Sequence, residues 1–295
     1  MKVKDSNKTR IIGWIVSVAL LSAAVFTIWS RWDDLSKAIE SIERPNLWSL
    51  TSLPCITLLA VACVSESFRS LLNRKGVAKE GSKPIGRNEM FWLIMVAGML
   101  NWLPMRAGLI GRTVYHSKVN GIPASSSLRI LVETIVILIC MAIVALSLAV
   151  LSNIFSIPVL IALVFPVLVL LPLSCKTQMK PFSLAITFRY LDVLLLALRY
   201  WIIFGLMDYD ISPETAILLA GAGSIASLLP LPTGGLGGRE WIIGLVASWV
   251  TVFPSAIALG LIADLVNRLV ELVVVIPFGL LGQHFLRKIP PEPSL

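Results

Sequence analysis

The chain reads as an all-α polytopic membrane protein, with about six spans plus two re-entrant helical hairpins arranged as an inverted repeat. Three observations lead there. Hydrophobic residues make up 57% of the 295 positions and charged residues only 14%, against about 25% charged in a soluble domain; the mean hydropathy is +0.86. Several apolar runs approach or exceed the ~18–20 residues that cross a bilayer. Two polar, Gly/Pro-rich breaks interrupt those runs and resemble each other. With a one-residue gap, Pro104-Met105-Arg106-Ala107-Gly108-Leu109-Ile110-Gly111-Arg112 lies over Pro232-Thr233-Gly234-Gly235-Leu236-Gly237-Gly238-Arg239.

In chain order, residues 11–30 form the first span. They follow a basic N-terminus, are too long for a signal-peptide core and precede no small-x-small cleavage site. Trp29 and Trp32 anchor its far end at an interface. Residues 31–44 alternate Leu35, Ala38, Ile39 and Ile42 with charges at helical spacing, as a surface helix closed by Pro45 does. The second span runs from Leu47 to about Phe68, followed by a basic loop over 69–89. Short apolar pieces at 90–103 and 109–119 flank the first break. Spans follow at 125–151, 157–173 and 183–206. A second short pair, 215–229 and 241–252, flanks the second break, and 255–281 is the last span. One integral membrane domain thus fills residues 1–295, with pseudo-repeats at about 47–151 and 183–281.

Lys/Arg placement orients the chain. If each short pair returns to its own side, fourteen loop cations fall on one face: Lys2, Lys4, Lys8, Arg10, Arg69, Arg74, Lys75, Lys79, Lys83, Arg87, Lys176, Lys180, Arg287 and Lys288. Only Arg31, Lys37 and Arg44 fall opposite. The positive-inside rule then makes both termini cytoplasmic. Hairpin one enters from the cytoplasm and hairpin two from outside. Two thin crossings per pair would give the same loop sides.

The formal charge of +8 follows this topology and is no nucleic-acid footprint. Cys55, Cys63, Cys140 and Cys175 lack Cys-x-x-Cys spacing and read as small hydrophobes rather than disulfides or metal ligands. No Gly-Lys-Ser/Thr phosphate loop is present, so no nucleotide cofactor is expected. His116 and His284 are too far apart for a catalytic or metal cluster and read as interfacial.

The breaks hold the candidate chemistry. Backbone that leaves the helix inside a bilayer is tolerated only where it lines a protein cavity, and a matched pair of breaks points to a transporter binding site. Arg106, Arg112 and Arg239 stand in or beside the breaks, where guanidinium forks can hold a phosphate. Gly108, Gly234, Gly235 and Gly237 permit close backbone approach. Glu240 is the nearest acid, and the excess of arginine over it favours an anion. An arginine lining such a cavity is hydrated or ligand-paired, so removing Arg239 is expected to cost little folding stability. Asp264 with Arg268, Arg268 with Glu271 and Arg189 with Asp192 are i,i+4 or i,i+3 pairs sharing a helix face.

Pro230-Leu-Pro-Thr-Gly-Gly-Leu-Gly-Gly-Arg-Glu240 resembles the Pro-x-Pro-Gly-Gly-x-Gly-x-x-Glu signature of the lysylphosphatidylglycerol synthase transmembrane-region family. Asn101-Trp-Leu-Pro104-Met-Arg106-Ala-Gly108 resembles its first-half element, and Asn120-Gly121-Ile122-Pro123 with Glu133 its next stretch; Arg268 falls where the second half carries Arg. The chain departs from the pattern at Leu109 and Thr134, where the family carries Glu and Arg. The resemblance spans about 10–285. It implies a flippase-like transporter in a prokaryotic plasma membrane that moves a phospholipid or lipid-phosphate-linked glycan. The implied substrate site is Asn101, Pro104, Arg106, Gly108, Arg112, Glu133, Pro232, Gly234, Gly235, Gly237, Arg239, Glu240 and Arg268. The expected partners are an anionic lipid, the bilayer, and a second copy or a synthase. The alternatives are a non-transporting scaffold for a lipid or glycan synthase, and a membrane-embedded transferase using Glu133 or Glu240 as base.

Overall fold

The computed structural model describes residues 47–78, 84–102, 107–173, 179–227, 238–251 and 255–289, with Ser22, Phe26 and Trp29 from the N-terminal region. The expected surface helix at 31–44 and most of the first span lie outside these residues. So do Pro104, Arg106, Pro232, Gly234, Gly235 and Gly237.

The described residues are all-helical. The helices are α1 (Leu47–Leu72), α2 (Arg87–Asn101), α3 (Ala107–Val119), α4 (Ala124–Ile154), α5 (Val159–Leu173), α6 (Lys180–Leu206), α7 (Pro213–Ala226), α8 (Gly238–Val250) and α9 (Ala256–Leu286). Segments within α1, α4 and α6 are long and apolar enough to cross a membrane. Two other expected spans depart from that pattern. Helix α5 has 15 residues, about 22 Å at 1.5 Å per residue, against a hydrocarbon core of about 30 Å. Helix α9 has 31 residues but carries Asp264, Arg268 and Glu271. The helices flanking the breaks, α2, α3, α7 and α8, have 13 to 15 residues each, so none alone matches that thickness.

Boundaries also shift. The expected basic loop over 69–89 is helical at both ends, because α1 continues to Leu72 and α2 starts at Arg87. Arg69 extends α1 by pairing with Glu66 at 2.7 Å, one turn back. Helix α7 starts where Ser212 accepts the Thr215 N–H and Pro213 occupies the first turn, the cap chemistry expected of both residues. Lone hydroxyls inside the apolar helices bond back to their own helix, as Thr57 does to the Leu53 carbonyl and Thr134 to that of Ile130. No water is needed to satisfy them.

Helix packing has a regular pattern. Helix α1 packs on α6 most extensively, and α2 and α8 pack on α9. If α1 is exchanged with α6, α2 with α7, α3 with α8 and α4 with α9, the α1–α6 contact maps onto itself and every other principal helix contact maps onto another one, apart from those of α5. Thus α2 against α9 corresponds to α7 against α4, and α1 against α2 to α6 against α7. Helix α5 packs only on α4 and α6 among these contacts. About half of its side chains are exposed, Leu160, Ile161 and Phe165 among them, and none of the described ones is fully buried, which suits a helix facing lipid.

Glycines set the closest approaches. A Cβ on Gly260 would stand 2.8 Å from the Gly244 Cα of α8, and one on Gly279 would stand 2.8 Å from the Met99 Cβ of α2. Such small-residue contacts let helix backbones meet where no hydrophobic effect drives them together. Gly108 was expected to approach a headgroup. Its close approach is instead to α2, where a Cβ would collide with the Ala97 carbonyl and the Asn101 side chain. Gly108→Val should therefore destabilise the detergent-solubilised protein by about 1–3 kcal/mol or more through overpacking. Gly205→Ala, which faces open space on α6, should change it by about 0.5 kcal/mol or less. Paired chemical-denaturation curves check both.

The open end of the α2–α3 hairpin is tied by polar contacts. Glu89 accepts from Asn120 Nδ2 at 2.7 Å and from Tyr115 Oη at 3.2 Å. Asn120 Oδ1 lies 3.0 Å from His116 Nδ1. His116 is 1% exposed, so it is a packed residue inside the hairpin and not the interfacial one expected. Gly121 turns the chain into α4 at φ +63°, where a side chain would be strained.

Candidate functional site

The ends of the helices that flank the two breaks share one cavity of about 170 Å³. The first break contributes Asn101, Trp102 and Leu109. The second contributes Ser227 and Arg239. Helix α9 closes it with Arg268 and Glu271. Three of the expected site residues, Asn101, Arg239 and Arg268, therefore meet here, and Glu240 sits directly behind Arg268.

The local sequence explains the arrangement. Arg239 and Glu240 are adjacent in the first turn of α8 and point to different partners. Asp264 and Arg268 are one turn apart on α9 and lie on one face. The two pairs cross: Arg239 Nη2 is 3.0 Å from Asp264 Oδ1, and Arg268 Nε is 3.1 Å from Glu240 Oε1. Arg268 Nε also lies 3.6 Å from Asp264 Oδ2. The contact to Glu240 is close enough for an ion pair but not aligned as a hydrogen bond, and neither Glu240 side-chain oxygen has a hydrogen-bond donor among the described residues.

Further groups bracket Asp264 and Arg239. Tyr200 Oη donates to Asp264 Oδ1 at 2.6 Å. Arg239 Nη1 donates to Ser227 Oγ at 3.1 Å, and that hydroxyl donates to the Gly223 carbonyl at 2.7 Å. Arg199 donates to the Asn267 carbonyl at 2.8 Å. The Arg268 guanidinium lies 5.8 Å from the Trp102 ring centroid, which links the second half to the first break. Asp264 is 0% exposed, and Arg239, Glu240 and Arg268 are all buried.

This overturns the expected stability of Arg239→Ala. Arg239 does not stand free in the cavity, since it neutralises a carboxylate sealed from solvent. Removing one partner of a buried pair strands the other charge. The expected cationic excess is also absent from this cluster. Arg239 and Arg268 are paired there with Asp264 and Glu240, and Glu271 lines the same cavity.

Two expected residues lie elsewhere. Glu133 is held by Arg129 at 3.0 Å and Arg74 at 3.3 Å. It lines a separate open groove between α4 and α6 with Phe182 and Ile186. Arg112 lies over the Phe68 ring of α1, its guanidinium carbon 4.0 Å from the ring centroid. Arg189 of α6 lies 5.2 Å from the same centroid and pairs with Asp192 at 3.0 Å. Arg112 itself makes no hydrogen bond or ion pair among the described residues. A cation–π contact is worth about 0.5–2 kcal/mol, less than the several kcal/mol that desolvating an ion costs.

Sequence reasoning picked out the Asp264–Arg268 spacing without assigning Asp264 to the site. Tyr200 and Ser227 carried no signal, because each reads as an ordinary member of an apolar helix until the helices pack; Trp102 lies inside the first break motif but is not among the expected site residues.

Compared with known proteins, the chain matches no protein-family model, no curated protein and no solved structure. The resemblance noted above therefore rests on its motif residues alone.

Proposed function

We propose that the chain is a flippase-like membrane transporter that moves a phospholipid or lipid-phosphate-linked glycan between leaflets, built as an inverted repeat. The observation that carries this reading is the convergence of both break regions on one polar cavity, inside a helix arrangement that maps onto itself when its halves are exchanged. Transporters of this design place substrate between two repeats, at interrupted helices, and switch access by rocking one repeat against the other. The short helices α2, α3, α7 and α8 are the interrupted elements. A prokaryotic plasma membrane location, cytoplasmic termini and an anionic substrate belong to the same reading. A concentration gradient, an ion gradient or a partner would supply the driving force, since the sequence carries no nucleotide-binding motif.

One observation favours a second reading. Arg239 and Arg268 each have a carboxylate partner within the protein, as they would in a static scaffold that docks a synthase. The transferase reading draws less support, because its candidate bases, Glu133 and Glu240, are both committed to arginines.

Thiol accessibility separates these readings. In a cysteine-free background, Asn101→Cys and Leu109→Cys place probes in the cavity wall. A transporter that alternates access should let a membrane-impermeant thiol reagent reach them from either side of oriented vesicles. Labelling from one side only, or from neither, would favour the scaffold.

A further inference from the structure

The two halves treat their matched arginines differently. Arg112 and Arg239 align in the two break motifs. Each touches an aromatic residue near the C-terminal end of the first long helix of its half, Phe68 on α1 and Tyr200 on α6. In the second half, α9 supplies Asp264 to Arg239 and Tyr200 together. In the first half, the counterpart of α9 is α4, whose one acid is Glu133. That carboxylate is already taken by Arg74 and Arg129.

Arg112 is therefore left without a carboxylate among the described residues. Arg112 and Arg189, the latter on α6 of the second half, share the Phe68 ring, and among the described residues Asp192 is the one carboxylate paired with either of them. Arg189 is 7% exposed, and its Nε has no hydrogen-bond partner among the described residues. Arg112 is partly buried. Two guanidiniums on one ring repel each other, and a ring quadrupole offsets only part of the hydration they lose.

We propose that an oxyanion of a phosphate ester, the headgroup phosphate of a lipid, docks between Arg112 and Arg189 beside Phe68, filling in the first half the role that Asp264 fills in the second. Guanidinium forks match a phosphate diester in geometry and in charge. The assignment rests on the transporter reading for its lipid source and moves the anion site away from Arg239. The asymmetry has a purpose in such a machine: one half carries a fixed counter-ion and the other borrows the substrate's.

Cys63 on α1 is a built-in reporter. It is a free, partly buried thiol within electrostatic reach of Arg189 and Asp192. With Cys55, Cys140 and Cys175 replaced by Ala, the alkylation rate of Cys63 is measured in detergent against increasing dihexanoyl phosphatidylglycerol and, separately, inorganic phosphate. The lipid should slow alkylation saturably. Arg112→Gln should weaken that protection about 10- to 100-fold, the loss of one charge-assisted phosphate contact. Arg189→Gln combined with Asp192→Asn, which strands no carboxylate, should weaken it similarly. Arg129→Gln, a neutralisation at the exposed edge of the other groove, should bind as the parent does.

Protection unchanged by Arg112→Gln, or none from either ligand, would overturn the site. Protection by inorganic phosphate but not by the lipid would overturn the headgroup assignment. The two readings fail separately. Lipid-dependent protection without leaflet exchange would sink the transporter and leave the site standing. Leaflet exchange with full protection in Arg112→Gln would do the reverse.

Discussion

Arg239→Ala is expected to destabilise the folded protein by about 3–5 kcal/mol, the cost of leaving one member of a buried ion pair uncompensated. The stranded group is Asp264, which is 0% exposed and keeps only Tyr200 Oη at 2.6 Å and the distant edge of Arg268 as partners. Adding Asp264→Asn should return most of that loss, because an amide can keep the Tyr200 hydrogen bond without a charge. Asp264→Asn alone should also destabilise, since it strands Arg239. Denaturation of the four proteins of this double-mutant cycle in one detergent measures the coupling. A near-zero coupling energy would mean that the 3.0 Å contact contributes nothing.

Arg268→Ala is expected to be at least as damaging, again about 3–5 kcal/mol, and to respond to a different rescuer. Arg268 faces Glu240 at 3.1 Å and Asp264 at 3.6 Å. It also lies near the Trp102 ring of the first half. Its loss frees Glu240, neither of whose side-chain oxygens has a hydrogen-bond donor among the described residues. Glu240→Gln should therefore recover more stability in the Arg268→Ala background than in the Arg239→Ala background. Equal rescue in both would contradict the crossed pairing. Loss of the Trp102 contact should also loosen the joint between the two break regions, which would show as faster alkylation of Asn101→Cys.

Much of the architecture is legible in the residues. The apolar runs place α1, α4 and α6, and the Gly/Pro breaks separate α2 from α3 and α7 from α8. Helix ends are less legible, because Arg69 and Arg87 read as loop cations until Glu66 is seen to bind both. The site is half legible. Asn101, Arg239, Glu240 and Arg268 come together because motif and helix spacing put them on facing ends. Arg112 and Glu133 go elsewhere because their partners, Phe68 and Arg74, lie far away in the chain. Nothing local to Arg112 announces its partner, whereas Glu133 has one local partner in Arg129, one turn before it on the same helix. Gly108 shows the same ambiguity, since a glycine kept for a ligand and one kept for a crossing helix look alike in sequence.

Leaflet exchange tests the central claim most directly. The purified protein is reconstituted into liposomes carrying a fluorescent phosphatidylglycerol, and the label in the outer leaflet is quenched chemically without ATP present. A transporter whose paired breaks form its substrate site should let the quencher reach the inner-leaflet label well above the rate in protein-free liposomes. Correctly folded protein that leaves that rate unchanged would contradict the account.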